Sequence, residues 1–318
     1  MGGVSIKRKV IQIANSTQLV SLPRKWSQKY GVKKGDEVEV EEQDNKIVIN
    51  INKGVELKSK EIDVTGLDRT TILYYIQNLY RAGYDEIKVI YNNPVTTHFR
   101  LSKNVNVITV LHNEVNRLIG YEIIQQKENF CIIKDISNSS VQEFDTVFRR
   151  IFLLLKDASS ELFKGAMDMD IKLIETLEEK HDSITKFISY CLRLLNKYGH
   201  PNYKQTTIIY HILASLDKLV DVLKYAARDL LKFKHKLNSY TIHLLGLITV
   251  SINLYSDFFF KFDLKQATEI YKNRNEMLTS LYQFKNKIPT DELILLSRME
   301  QIFELLVEVR VARMGIEY

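Results

Sequence analysis

Cysteine is scarce in this chain of 318 residues: only Cys131 and Cys191 occur, far apart and each in an apolar setting. That excludes a disulfide framework and suits a reducing compartment. Four prolines and twelve glycines leave most of the chain able to sit in regular elements. The first residues, MGGVSIKRK, lack the apolar core of a secretory signal. With the cysteine usage, this predicts a cytoplasmic protein. Long apolar runs are missing too, apart from residues 242–260, where His243, Asn253 and Asp257 interrupt the run. Such groups are costly in hydrocarbon, so the stretch reads as a buried bundle helix and no membrane insertion is expected. There is no Gly-rich phosphate loop, no HExxH and no CxxC pair. His98, His112, His181, His200, His211, His235 and His243 stand without catalytic company, so nothing nominates an enzyme.

Acidic residues are absent from positions 1–35, which hold Lys7, Arg8, Lys9, Arg24, Lys25, Lys29, Lys33 and Lys34. Positions 36–44 reverse this, with Asp36, Glu37, Glu39, Glu41, Glu42 and Asp44 and no base. The net charge is only +6, so its distribution matters more than its size. A basic block beside an acidic one in so short a segment suggests a polar face aimed at something anionic, although a solvated surface produces the same pattern.

The remaining composition, 45% hydrophobic and 26% charged, is that of a globular protein, and the length predicts two or three domains. Residues 6–13 and 18–22 read as short strands, and Pro23 suits the first turn of a helix over about 24–30, stopped at Gly31. Residues 37–41 and 46–51 alternate with period two around Asp44-Asn45, which predicts a hairpin. A unit of about fifty residues buries little core alone, so a partner chain is expected on physical grounds. Residues 60–135 read as α+β: a helix over 68–82, a strand at 86–91, a helix at 111–118, and strands at 121–126 and 129–134. They carry no chemical motif and read as a connecting or docking module. From Val141 the pattern is helical throughout, with helices expected at 141–166, 168–197, 204–234, 239–261, 263–286 and 290–314 and short connections that suit antiparallel packing. The domain boundaries so drawn are 1–55, 56–138 and 139–318.

Ser21-Leu22-Pro23, Trp26, Tyr30-Gly31-Val32 and Lys34-Gly35-Asp36-Glu37-Val38 together resemble the AbrB/MazE/SpoVT swapped-hairpin family over about residues 6–51. The resemblance implies two chains interleaving their hairpins into a homodimer whose basic residues face DNA, although some members of the family are antitoxins that bind a toxin. The local chemistry agrees with DNA contact. Lys7, Arg8, Lys9, Arg24 and Lys25 can each neutralise a phosphate and release counterions. Asn15 and Thr17, in the polar run 15–18, can reach phosphates or base edges.

In the helical half, Glu178 and Asp182 stand at i, i+4 on the second helix, and Asp217 and Asp221 do the same on the third. That spacing puts both side chains on one helical face, and two such pairs on adjacent helices offer hard oxygen donors to a cation. Solvated acidic pairs are common, and that reading stays open. Glu300 and Glu304 occupy on the sixth helix the place of Asp217 and Asp221 on the third, as a duplication of three helices would produce. His181, inside the first pair, reads as a solvated neighbour rather than a ligand. This half, over about residues 141–314, is similar to the PhoU family of phosphate-uptake regulators, whose two three-helix repeats carry (E/D)xxxD motifs that bind metal. The resemblance implies a divalent or iron-type ion on Glu178, Asp182, Asp217 and Asp221. Tyr271 and Asn275 depart from the motif in the second repeat.

The expected fold class is therefore α+β multi-domain: an N-terminal swapped-hairpin β domain, an α+β middle region and a C-terminal six-helix PhoU-like bundle of two three-helix repeats. The expected function is that of a DNA-binding transcriptional regulator of phosphate homeostasis with a sensor or docking domain. The alternative is an adaptor that does not bind DNA and negatively regulates a phosphate transporter or its signalling kinase.

Overall fold

The computed structural model describes all residues except 1–5, 14–16, 44, 52–56, 138–139, 285 and 318. The chain divides into two compact units, Met1–Leu57 and Lys58–Tyr318.

The first unit is two hairpins and a short helix. Strands β1 (Ile11–Ile13) and β2 (Thr17–Leu19) pair antiparallel with Ile11 opposite Leu19. Helix α1 (Arg24–Lys29) follows Pro23. It stops where Gly31 adopts φ +61° and Val32 N–H returns to the Ser27 carbonyl at 2.8 Å, a turn that a Cβ would strain. Asp36 then folds the next turn by accepting the Lys33 N–H at 2.8 Å. Strands β3 (Glu39–Gln43) and β4 (Lys46–Asn50) form the second hairpin.

The second unit opens on a four-stranded sheet in the order β5-β6-β10-β9, built from β5 (Ser59–Asp63), β6 (Glu86–Ile90), β9 (Tyr121–Gln126) and β10 (Phe130–Asp135). Strands β5 and β6 run parallel, so α2 (Arg69–Arg81) is the crossover between them; the other pairs are antiparallel. A small hairpin, β7 (Val95–His98) with β8 (Lys103–Asn106), leads into α3 (Val107–Val115). Asp68 caps α2 by accepting from Thr70 and Thr71. Ile72, Ile76 and Tyr80 of α2 are buried with Ile87 and Val89 of β6 and Leu111 of α3.

The helical region comprises α4 (Phe144–Asp168), the short α5 (Ile171–Glu175), α6 (Leu177–Tyr198), α7 (Thr206–Leu230), α8 (Ser239–Phe260), α9 (Leu264–Phe284) and α10 (Leu293–Glu317). The second expected helix begins after Met169, left-handed at φ 54°, with Asp170 capping α5, and is interrupted at Thr176, between α5 and α6. Helix α6 packs on α4 and α7, and α8 packs on α9 and α10; across these sets α4 meets α8 and α7 meets α10. Across the two sets, first helix meets first and third meets third. Helix α8 has the length and mean hydropathy (1.3) of a membrane span. In this structure Leu244, Ile248, Ile252, Tyr255 and Phe258 are buried inside the protein, and its Ser251 accepts from the amide of Asn273 at 3.0 Å.

Residues 58–318 form one compact unit, where the sequence suggested separate regions 56–138 and 139–318. The physical reason is Arg193 of α6, whose side chain is 0% exposed. It donates to the Tyr80 and Tyr84 carbonyls at 2.9 and 2.6 Å and to Asp85 and Asp135 at 3.1 and 2.6 Å. The rings of Tyr80 and Tyr121 flank its guanidinium. Burial works against the charge, but the surrounding tyrosines and Asp135 outweigh it and raise the Arg193 pKa.

Candidate functional sites

The basic segment of the first unit is wholly on the surface. Lys7, Arg8 and Lys9 lead into β1, Thr17 opens β2, and Arg24 and Lys25 open α1; all six are exposed. Asn15 lies outside the described residues. Lys7, Arg8, Lys9, Arg24 and Lys25 make no ion pair with any described residue of the chain, so their charge is available to an external anion. The first hairpin brings Thr17 opposite Ile13. Among the described residues of this unit none is buried. Ile11 and Leu19, cross-strand partners, are 58% and 44% exposed, and Ile47 of the second hairpin is 67% exposed. Paired strands with a bare apolar face do not hold in water by themselves. The unit is chemically incomplete as one copy.

The carboxylates of α6 and α7 have a different fate. Glu178 is bound by Arg228, whose Nε donates to Oε2 at 2.9 Å and whose Nη2 donates to Oε1. Asp182 meets Arg117 at 2.8 Å. Asp217 accepts from Arg81 Nη2 at 2.7 Å, and Arg81 also donates to Ser189. Asp221 accepts from Lys224 Nζ at 2.7 Å. His181 is not a solvated neighbour: it is buried between the two pairs, with Nδ1 2.8 Å from Asp182 and Nε2 3.0 Å from Asp221. The two helix faces pack together, and the ring takes the space between them.

The charges follow from these contacts. Burial opposes ionisation of Asp221, but hydrogen bonds from His181 and Lys224 hold its carboxyl well below the usual range. Burial likewise raises Asp182, and His181 and Arg117 more than reverse it. Burial lowers His181, and its bonds to Asp182 and Asp221 raise it on balance. Lys224 Nζ sits 2.8 Å from the same Nε2. That nitrogen donates to Asp221 in the imidazolium and accepts from Lys224 in the neutral ring.

A metal would need several of these oxygens to converge. Among the described residues no group of three or more His, Cys, Asp and Glu converges in this way. Each of Glu178, Asp182, Asp217 and Asp221 is instead answered by a base of the chain, and as arranged they do not fit a shared ion. Like charges at i, i+4 repel, and here Arg81, Arg117, Lys224 and Arg228 relieve that repulsion. Lys224 stands three residues after Asp221 on α7, within reach of local spacing, whereas Arg81 of α2, Arg117 at the end of α3 and Arg228 of α7 answer acids on other elements, which local spacing does not reveal. Glu304 on α10 is similarly bonded to Arg274 of α9, at 2.7 Å from Nε.

Comparison with known proteins bears on the first unit alone. No curated protein matches the chain. Residues 11–58 match the family model described as antidote-toxin recognition MazE, bacterial antitoxin. The first unit is thus similar to a MazE/AbrB-type domain, which supports its swapped-hairpin character and fits a DNA-binding regulator.

Proposed function

We propose that this protein is a dimeric, DNA-binding transcriptional regulator that acts in the cytoplasm, with no catalytic role. The observation that carries the reading is the state of the first unit: Lys7, Arg8, Lys9, Arg24 and Lys25 make no ion pair with any described residue, and Ile11, Leu19 and Ile47 are exposed. A second copy covers the apolar face by interleaving hairpins, and the bases of the two copies then form one cationic surface. The family match over residues 11–58 supports both steps.

We further propose that the second unit ties DNA binding to phosphate homeostasis, through docking on a phosphate transporter component or a regulatory kinase. The support is the resemblance of the helical half to PhoU and the first-to-first, third-to-third pairing of its helices. Gel-shift titration of the full chain at several salt concentrations tests the DNA reading. The expected result is an affinity that falls linearly in log[salt]; a salt-indifferent affinity or no binding overturns it.

The printed description of the matching family, antidote-toxin recognition, favours one second reading: the first unit grips a protein partner. In that case the unit still dimerises, while the gel shift shows no retarded species at any salt.

A further inference from the structure

Some bases of the second unit are left unpaired, and they gather at the β7-β8 hairpin. Residues 87–113 hold no aspartate or glutamate, and the hairpin and its turn fall in that stretch. Arg100 in the turn and Lys103 at the start of β8 are exposed, and their side chains make no ion pair or hydrogen bond with any described residue. Burial, and then Arg69, Arg100 and Lys103, push the His98 ring below its ordinary range, so the three cations stand close about that ring. At Arg69 itself burial disfavours the charge, Glu114 supports it, and Arg117 and Arg100 oppose it. Arg100 and Lys103 therefore add to a local excess of positive charge that the chain does not neutralise on their side, and such an excess favours an anionic partner.

The hairpin holds its turn in a fixed pose. His98 and Lys103 are the cross-strand partners that close it. Between them Phe99–Leu101 make one turn of 3-10 helix, ended by Ser102 at φ 47°, whose N–H donates to the Phe99 carbonyl at 3.1 Å. Thr96 and His98 are buried, and Thr96 Oγ1 donates to the Leu67 carbonyl at 2.6 Å, which fastens the hairpin to the chain just before α2. The turn itself stays outside: Phe99 is 72% and Leu101 51% exposed. Single exposed apolar residues are ordinary. Two of them on either side of an unpaired arginine, in a turn already fixed, offer a contact that costs little ordering when a partner arrives.

We propose that the β7-β8 turn is a second DNA contact of this chain, in which Arg100 and Lys103 neutralise backbone phosphates and Phe99 lies against the sugar edges of the groove. Charge complementarity selects the partner. A duplex presents phosphates at every step, so two bases on a rigid turn can each meet one without a tailored pocket. Phe and Leu beside cations are also the side chains that proteins lay into the minor groove. Once the first unit holds a duplex, a tethered second contact meets it at high effective concentration, so a small surface suffices. The inference rests on the DNA-binding reading above and extends it to the second unit.

The experiment is gel-shift titration of the full chain on mixed-sequence duplex DNA over a range of salt. Arg100→Gln with Lys103→Gln should weaken binding about tenfold at low salt and take about 1.8 off the slope of log affinity against log[salt], at about 0.9 per phosphate contact. Lys261→Gln with Lys265→Gln removes the same charge from exposed positions around the start of α9 and should keep the slope. Phe99→Ala should weaken binding severalfold with the slope unchanged, since no charge is lost. All five side chains are exposed, and circular dichroism checks that the variants fold. An unaltered slope in the hairpin variant, or an equal fall in the α9 control, overturns the proposal. If neutralising Lys7, Arg8, Lys9, Arg24 and Lys25 still lowers the slope in that case, the first-unit reading stands without it. A slope lowered by the hairpin variant and not by the first-unit one keeps the proposal and removes the first-unit contacts. No retardation of the unaltered chain overturns both.

Discussion

The two units use the same residue types to opposite ends. In the first, Lys7, Arg8, Lys9, Arg24 and Lys25 stand in solvent without acids, and Ile11, Leu19 and Ile47 are exposed. In the second, Arg81, Arg117, Arg193, Lys224 and Arg228 are each tied to carboxylates of the chain, and the apolar residues form one continuous core. The difference teaches where binding energy is held in reserve. A base already paired inside the chain has little left for a partner, while an unpaired one in water releases counterions when a phosphate arrives. Isolated exposed apolar residues are ordinary, but a hairpin face made of them marks an interface.

The sharpest way to break the comparison is to neutralise the free bases. Lys7→Gln, Arg8→Gln, Lys9→Gln, Arg24→Gln and Lys25→Gln together should abolish specific retardation in a gel shift. They should also take about 0.9 per lost phosphate contact off the salt slope. The unfolding midpoint of the second unit should stay where it is. A slope unchanged by the five substitutions would place the DNA contacts elsewhere.

The converse substitution is Arg193→Met, at a base that is locked. It leaves Asp135 buried without its counter-charge and Asp85 with Lys197 alone, and it should cost the second unit about 3–5 kcal/mol in urea unfolding. DNA affinity measured below the transition should not change.

A third measurement uses pH. Burial raises Glu114 to about 7 in the folded protein, while in the unfolded chain it titrates as an ordinary carboxyl. The folded state therefore holds its proton after the unfolded state has lost it. Stability is undiminished below the unfolded value, falls as pH rises through the interval, and levels off above about 7. Glu114→Gln should remove this slope and gain up to about 3 kcal/mol at pH 8, read from thermal unfolding across pH 5 to 8. An identical slope in the variant would show that Glu114 finds a partner in solution.

The smallest effect is expected at Gly31. Alanine there must take φ +61°, which costs about 1 kcal/mol. Because the first unit has no core to absorb it, the loss should appear as weaker dimerisation in sedimentation, with the second unit untouched.

Much of the fold was legible in advance because the signals were local. Period-two alternation marked β3 and β4, strands were also read where β6, β9 and β10 lie, and helices expected at 168–197 and 204–234 foreshadow α6 and α7. Strand β5 went unread because its sequence, SKEID, is mostly charged; its pairing comes from β6 and not from its own pattern. The β7-β8 hairpin, VTTH with KNVN, is equally polar. At the candidate sites, helical spacing correctly put Glu178 with Asp182 and Asp217 with Asp221 on shared faces. It did not show what lies opposite them. Arg193 left one trace, a cation inside the apolar run CLRLL, which is a signal of a buried charge with partners elsewhere.

By itself the sequence determined most of the helices, the strands with an alternating or apolar pattern, and that the first 35 residues carry bases and no acid. These follow from periodicity, backbone freedom and charge order, all set by neighbours along the chain. Only the tertiary structure decided which acid meets which base. Arg81 and Asp217 lie 136 positions apart, and Arg193 and Asp135 lie 58 apart. A carboxylate pair offers the same pattern in sequence whether a metal, water or an arginine stands opposite, and packing selects among them.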